Sequence, residues 1–397
     1  MAVKTVWGVD VGTTALKALR LRLLEDGKVC PEGHTLIEYP QQLDYPDCQP
    51  STVLTDAVRQ FVDTCDIAVG EQVAINFSSS SSMARFLSPP PLDATKLSHV
   101  MQHEAKQQIP FSLDDVNWDW QLLSQMKDDI FVLESECVIQ SAKKDQVEEA
   151  VSFFKKAGIR IRLVQANNVA LVNALDFELG LSEAFRGRDK LGDKEDFDSL
   201  PYYCCVGVGA ATSDLVIADG RKIWLRSIPL GGTHFTKQLA KELKLTFAKA
   251  EHLKRNVVEA EDAKAVIQAM RPVFNDLLTE IQRSLGFYSN INRRSTMEKF
   301  VVTGGGMLLP GLALYLGKNL GYETCVWNEY DNMTPNPQGL EWSPQRFRVA
   351  YGLALQQLGL CWVETNLLGK RVPAFSPTKI FGGLKRLIPR VRITWDR

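Results

Sequence analysis

Residues 9–18, VDVGTTALKA, and residues 206–215, VGVGAATSDL, are two versions of one turn. Each sets β-branched residues before a glycine, small or hydroxyl residues after it, and then returns to apolar alternation. A glycine at that place permits a tight turn that a side chain would obstruct, so both stretches predict a strand–turn–strand hairpin. The first copy carries a carboxylate, Asp10, two residues before its glycine, whereas the second has Gly207 there. The same hairpin is built twice and armed once.

The repeat extends outward from both copies. The first opens a run of three strands, TVWGVDVG, ALKALRLRLL and KVCPEGHTLIEYP, followed by the helix LTDAVRQFVDTC and the strand QVAINFS. The second opens YYCCVGVG, TSDLVIAD and KIWLRSIPL, followed by the helix HFTKQLAKELK and a longer one over about 262–289. A strand–glycine–helix unit, KFVVTGGGMLLPGLALYLGKNLG, and a closing helix, RFRVAYGLALQQLG, complete it. Residues 83–160 have a separate α+β rhythm, and 182–200 (SEAFRGRDKLGDKEDFDSL) are charged and poor in large apolar groups, as a solvated linker is. The predicted architecture is α/β, two duplicated halves around a cleft. Residues 1–82 with 161–200 form the first half, and 83–160 an inserted subdomain. Residues 201–230 with 300–362 form the second half, 231–299 its helical part, and 363–397 a tail. Two similar α/β halves leave a cleft between them, a common place for a ligand.

Composition removes several classes of function. With 397 residues, 45% hydrophobic and 23% charged, the chain has the balance of an ordinary globular protein of two or three domains. A net charge of −1 argues against a body that coats nucleic acid. The opening MAVKTVWGVDVGTT lacks the pattern of a signal peptide, and no stretch reaches the roughly 18 apolar residues of a membrane span. Eight scattered cysteines without a C-x-x-C pair suggest reduced thiols, neither a disulfide framework nor a zinc site. His99 and His103 are four apart on a predicted helix, but the H-E-x-x-H order is missing and a solvated face explains them.

The chemistry is carried by the glycine turns. After Gly12, the backbone N–H groups and the hydroxyls of Thr13 and Thr14 can donate to phosphate oxygens, and Lys17 can reach the same anion. Asp10 at the strand end is placed to hold Mg²⁺ through its waters, or simply to stabilise the turn. The second hairpin keeps Gly209, Ala210 and Ser213. A third glycine site, Gly304, Gly305 and Gly306 in TGGGMLLPG, follows an apolar strand and precedes a helix, so bare backbone can approach a nucleotide.

With those turns and two further stretches the chain resembles the actin-like ATPases. Within them it is similar to the PilM family of type IV pilus assembly proteins, relatives of the division protein FtsA. The resemblance runs from about residue 5 to residue 360. It rests on GVDVGTTALKAL, on EAKQQIPFSLDDVNWDWQLL in the insert, on GGTHFTKQLAKELKLTFAKAEHLKR and on VVTGGGMLLPGL. The IPF-containing stretch is the specific part, since glycine turns are shared with sugar kinases and chaperone ATPases. The resemblance implies ATP with Mg²⁺ as ligands and adds Gly231, Gly232, Glu251 and Lys254 as nucleotide contacts. By residues alone, Glu251 and Lys254 would be a solvated helix face. It also implies a cytoplasmic scaffold, peripheral at the inner membrane, that binds the short cytoplasmic peptide of a PilN-type membrane protein near the insert. No nucleic-acid partner is expected, and self-association stays open.

Gly207 is a departure from that family, where an aspartate usually stands. Phosphoryl transfer depends on positioning and charge stabilisation around the γ-phosphate, so its loss harms hydrolysis more than binding. Asp214, seven residues on, is expected to point elsewhere along the returning strand. The rival reading, a small-molecule kinase of the same superfamily, needs a general base that the second hairpin does not offer on this view. The tail carries eight basic side chains against Glu364 and Asp396, a net +6 that leaves −7 for the rest, which suits an anionic surface as partner. Within it Thr365–Gly369, TNLLG, is similar to the NLLP-type peptide of PilN-like partners. The tail is therefore expected to dock into a peptide groove, its own or a neighbour's.

Overall fold

The computed structural model describes residues 5–45, 47–67, 71–128, 131–186, 200–335 and 343–369. The first half opens with the antiparallel strands β1 (Thr5–Val11), β2 (Ala15–Leu23) and β3 (Val29–Glu38). Helix α1 (Pro50–Thr64) leads to β4 (Gln72–Phe77), which lies parallel to β1. The insert follows as β5 (Ser82–Leu87), β6 (Leu92–Asp93), α2 (Leu97–Gln108), β7 (Val116–Asp128), β8 (Phe131–Lys143) and α3 (Lys144–Lys156). The chain then returns to the first sheet as β9 (Ile161–Ala166) and leaves it through α4 (Asn167–Leu179) and α5 (Leu181–Arg186).

The second half repeats this plan with β10 (Tyr202–Val208), β11 (Ser213–Ala218) and β12 (Ile223–Ile228). Helices α6 (Gly232–Glu242), α7 (Phe247–Arg255) and α8 (Ala263–Ile291) precede β13 (Met297–Thr303), α9 (Leu312–Leu320) and β14 (Thr324–Val326). The two sheets run β3-β2-β1-β4-β9 and β12-β11-β10-β13-β14. Each is a three-strand meander extended by two parallel strands, so the duplication in sequence is a duplication in topology. This is the actin-like two-domain α/β fold.

The insert is smaller than its sequence rhythm suggests. Its own core is one face of α2 (Leu97, Met101, Ala105, with Ile109 after it) against Val116, Cys137 and Ile139, with Trp118 and Trp120 packed around it. Helix α3 belongs elsewhere: Val147, Phe153 and Phe154 pack with Val58 and Phe61 of α1 in the core of the first half.

Two predicted boundaries need correction. Residues 327–362 were expected to close the second half, but they cross back to the first. Met333 bridges to Val29 of β3, and the last helix, α10 (Arg348–Leu358), lies on β1 and α4. Backbone contact at that crossing explains the switch. A Cβ on Gly8 would stand 1.9 Å from the Ala350 carbonyl oxygen, and one on Gly352 would stand 1.8 Å from that of Ala170. Two glycines thus allow α10 an approach that no other residue pair would. The tail expected to start at 363 is likewise folded as far as Gly369, with Trp362, Val363 and Leu367 fully buried. Residues 370–397, and linker residues 187–199, lie outside the described residues.

The crossing yields a direct check. Gly352→Ala should lower stability by about 2–3 kcal/mol, the cost of overpacking a tight contact, seen as a lower midpoint in denaturant. A change within about 0.5 kcal/mol, the range of ordinary surface substitutions, would mean that α10 does not lie there.

Candidate functional site

Between the halves lies a cavity of about 840 Å³. Its walls contain nine of the sequence-predicted residues: Thr14, Lys17, Gly209, Ala210, Gly232, Glu251, Lys254, Gly305 and Gly306. The glycines are there because backbone passes close to backbone. A Cβ on Gly209 would meet the Thr212 carbonyl at 2.8 Å, and one on Gly306 would meet the Val208 side chain at 2.4 Å. The N–H of Gly12 bonds across its turn to the Ala15 carbonyl (2.9 Å), and that of Gly209 likewise to Thr212 (2.9 Å). Among the described residues the N–H groups of Thr13, Thr14 and Ala210 have no acceptor, which leaves them for an anion.

Asp10 is buried at the end of β1, behind that wall. Lys17 donates to its Oδ2 (2.5 Å), and the Asn76 side-chain amide donates to its Oδ1 (3.1 Å). Asn76 is fixed in turn, since its Oδ1 accepts from the Val11 N–H (2.7 Å) and its Nδ2 reaches Asn167 Oδ1 (2.8 Å). The two asparagines were not expected from sequence, because nothing in QVAINFS or QANNVA marks them apart from ordinary strand and helix ends.

Asp214 corrects the expectation that it points elsewhere. Its Cα faces Gly207 across the ladder, and its carboxylate is close enough to Asp10 to feel that charge. Burial pushes its pKa up to about 6, Asp10 pushes the same way, and the hydroxyls of Ser79 and Ser227 oppose them. Its Oδ1 is buried without a hydrogen-bond partner among the described residues. A carboxylate with an unsatisfied buried oxygen is unusual. Two buried carboxylates, one from each half, therefore lie within electrostatic reach of one another behind the cavity lining, although the second hairpin lacks an acid at Gly207.

Several predicted contacts are engaged elsewhere. Ser213 is fully buried and its hydroxyl donates to the Leu230 carbonyl (2.6 Å), so it does not face the cavity as expected. The Gly231 N–H is taken by His234 Nδ1 (3.1 Å), and the Gly304 N–H by the Gln345 carbonyl (3.2 Å). Those two glycines shape the wall without donating to a ligand. Gly304 has φ +96° and so needs its missing side chain.

On the far wall, Lys254 Nζ lies 2.7 Å from Glu251 Oε2 and 2.7 Å from the Thr236 hydroxyl, and it also donates to the Gly232 carbonyl (3.0 Å). Burial works to raise the Glu251 pKa, but Lys254, Thr236 and Arg255 outweigh it and hold the group low. Burial lowers the pKa of Lys254, with Glu251 opposing. This is a rigid charged wall, where sequence alone favoured a solvated helix face. The mouth is bridged between halves. Glu38 of β3 pairs with Arg255 (3.0 Å) and Arg346 (3.5 Å), Gln42 donates to the Thr233 hydroxyl (2.6 Å), and Tyr45 meets Phe247 edge-on (5.7 Å).

Oxygen donors of this kind suit Mg²⁺, which is commonly held by one or two carboxylates together with the phosphates of a substrate. Among the described residues no group of three or more His, Cys, Asp or Glu forms a metal cage. The arrangement fits a cation that arrives with its phosphates.

The two similar α/β halves and the glycine-lined cavity between them define an actin-like protein, and comparison with known proteins narrows it. The profile of the type IV pilus assembly protein PilM family matches residues 8–358. The chain belongs to that family. Among solved structures, the PilM-PilN type IV pilus biogenesis complex superposes with a TM-score of 0.71 at 21% identity, covering 88% of this chain and 98% of that one. The ethanolamine utilization protein EutJ from Carboxydothermus hydrogenoformans gives 0.50 at 16% identity, covering 88% and 89%. A chain of the MamK double helical filament gives 0.50 at 11%, covering 89% and 98%.

The buried Asp214 makes stability depend on pH. Its pKa is higher in the folded state (about 6) than in the unfolded chain (3.8), so the native state binds the extra proton. That contribution is present below about pH 4 and is lost as pH rises through 6, up to about 3 kcal/mol in all. Replacing the carboxylate in Asp214→Asn should remove this fall from denaturation curves recorded between pH 4 and 7. An unchanged pH slope would place the carboxylate in water.

Proposed function

We propose that this chain is a cytoplasmic actin-like ATP-binding scaffold that docks on a PilN-type inner-membrane protein in type IV pilus or related secretion machinery, with slow ATP hydrolysis. The observation that carries the nucleotide part is the glycine-lined cavity between the halves, with Thr14, Lys17, Glu251 and Lys254 in its walls. ATP lies between the halves. Thr13, Thr14 and Ala210 donate to its phosphates, Lys17 exchanges Asp10 for a phosphate oxygen, and Glu251 and Lys254 face its sugar or base. A bound Mg²⁺ would neutralise phosphate charge next to Asp10 and Asp214. Hydrolysis is slow because Gly207 leaves no side chain to order the attacking water. Asp214 approaches from the neighbouring strand, already drawn towards protonation.

Family membership favours this reading over a small-molecule kinase. The membrane partner is supported by that membership and by the likeness to the PilM-PilN type IV pilus biogenesis complex. No helix among the described residues is long and apolar enough to cross a membrane, so contact with the bilayer runs through the partner and through the net +6 of residues 363–397. Removing residues 370–397 should then reduce co-sedimentation with anionic vesicles at low salt and leave neutral vesicles unaffected. Equal binding before and after removal would assign the tail no membrane role.

The nucleotide reading is tested by mixing the purified chain with ATP and Mg²⁺ and following binding and phosphate release together. Saturable binding with release far slower than one turnover per second is expected. Gly207→Asp should speed release, since the tightest contact of a Cβ there is the movable Leu171 methyl at 3.2 Å, with Thr303 and the Asp214 carbonyl at ordinary distances. Rapid release by the unaltered protein, or no binding at all, would sink the proposal.

A further inference from the structure

Residues 362–369 follow the last helix and run in a groove between the insert and the first half, and the way they are held is that of a bound peptide. Their backbone is read by side chains of the groove, with one main-chain bond besides. Gln121 of β7 donates to the Trp362 carbonyl (2.9 Å) and accepts from the Glu364 N–H (2.6 Å). Asn173 of α4 accepts from the Val363 N–H (2.8 Å) and donates to its carbonyl (2.8 Å). Gln165 (2.7 Å) and Gln356 (2.8 Å) converge on the Thr365 carbonyl, and Asp119 accepts from the Asn366 N–H (2.9 Å). The Leu367 N–H reaches the Val164 carbonyl (2.9 Å).

Side-chain amides gripping both polar groups of a peptide unit are a means of fixing an extended ligand whatever its side chains. Sequence is then read at three places, the first being Thr365, whose buried hydroxyl donates to Gln140 of β8. Leu367 is fully buried among residues of the first half, with Leu368 beside it. Asn366 is specified on every polar atom, its Oδ1 accepting from Val164 and Leu368 and its Nδ2 donating to the Arg162 carbonyl. The groove is contributed by β7 and β8 of the insert, which pair with one another, and by β9, α4 and α10 of the first half, which pack on one another.

We propose that residues 364–369 are a tethered ligand: the chain fills, in cis, a groove for an extended Asn-Leu-Leu peptide, and a free peptide of that chemistry enters only as the segment leaves. Trp362 and Val363, in the main core, stay as the anchor, and Gly369 (φ +68°) marks the far end. The inference rests on the reading above only for the owner of the competing peptide. A tether this short gives an effective concentration in the millimolar range. Against a free peptide of about 10 μM affinity, that is an apparent weakening of about 100-fold.

The test uses the full-length protein and a fluorescent peptide of the chain's own residues 364–371, ETNLLGKR. Leu367→Asp places a charge in the apolar pocket and should expel the segment, so the peptide should bind this variant 10- to 100-fold more tightly than wild type. Asn366→Ala, a milder change, should give a several-fold gain. Gln121→Ala added to either should reverse it. If neither variant binds more tightly than wild type while both melt cooperatively, the segment is a fixed part of the fold and the proposal falls. A wild-type dimer that Leu367→Asp dissociates would show the segment seated on a second copy, which also overturns the cis form. Because the probe is this chain's own sequence, failure of a PilN-type partner to bind would count against the function proposed above and leave this result standing.

Discussion

The contact on which the rest depends is the crossing of α10 over β1 and α4 at Gly8 and Gly352. There, a single methyl on either glycine would overlap a carbonyl oxygen. Close packing of this kind tolerates little change in volume. It makes the chain's last helix part of the first half although its sequence follows the second. Because α10 is returned this way, Gln356 and Gln165 face one another (3.2 Å), and the residues after the helix emerge beside the insert. The same return draws 327–335 across to β3, where Glu178 accepts from the N–H groups of Asp331 (2.8 Å) and Asn332 (3.1 Å). The halves are therefore tied at the back by a crossing of the chain and at the mouth by Glu38, Gln42 and Tyr45, with the cavity between.

The electrostatics of that cavity follow from its two sources. The first half supplies Asp10 with a cation already on it, and the second supplies Asp214 with an oxygen unpartnered. Asp10 adds to the burial that disfavours charge on Asp214. On the nucleotide reading proposed above, a cation would offset that repulsion and the phosphates would meet the N–H groups of both hairpins.

Much of this was legible in the sequence. The duplicated hairpins at Gly12 and Gly209 and the third turn at Gly304–Gly306 give the architecture, because a glycine turn flanked by alternating strands leaves few other readings. Nine of the predicted contacts line one cavity. The misreadings share a cause, which is that side-chain direction is set by register. Asp214 and Ser213 are neighbours on β11 and point to opposite faces. Sequence assigned the cavity to Ser213, yet Ser213 turns to Leu230, while Asp214 is buried within reach of Asp10's charge. A ladder that pairs Gly207 with Asp214 cannot be drawn from one strand alone. The crossing of α10 was hidden for a related reason, since the glycines that permit it lie 344 positions apart, at 8 and 352.

Helix α4 joins the buried carboxylate of Asp10 to the segment that follows α10. Asn167 at its start holds Asn76, and through it Asp10; Leu171, one turn on, lies against Gly207. Asn173 in its middle grips both polar groups of Val363, and Glu178 near its end accepts from the hydroxyl of Tyr351 in α10 (2.5 Å). A helix of 13 residues is about 20 Å long and moves as one body. One helix therefore carries both the residue that reaches Asp10 through Asn76 and the residue that holds the segment. Coupling between sites needs a physical element that both of them bias. In this fold α4 reaches Asp10 through Asn76 and the segment directly, and Asn167 and Asn173 are the polar side chains at those two contacts.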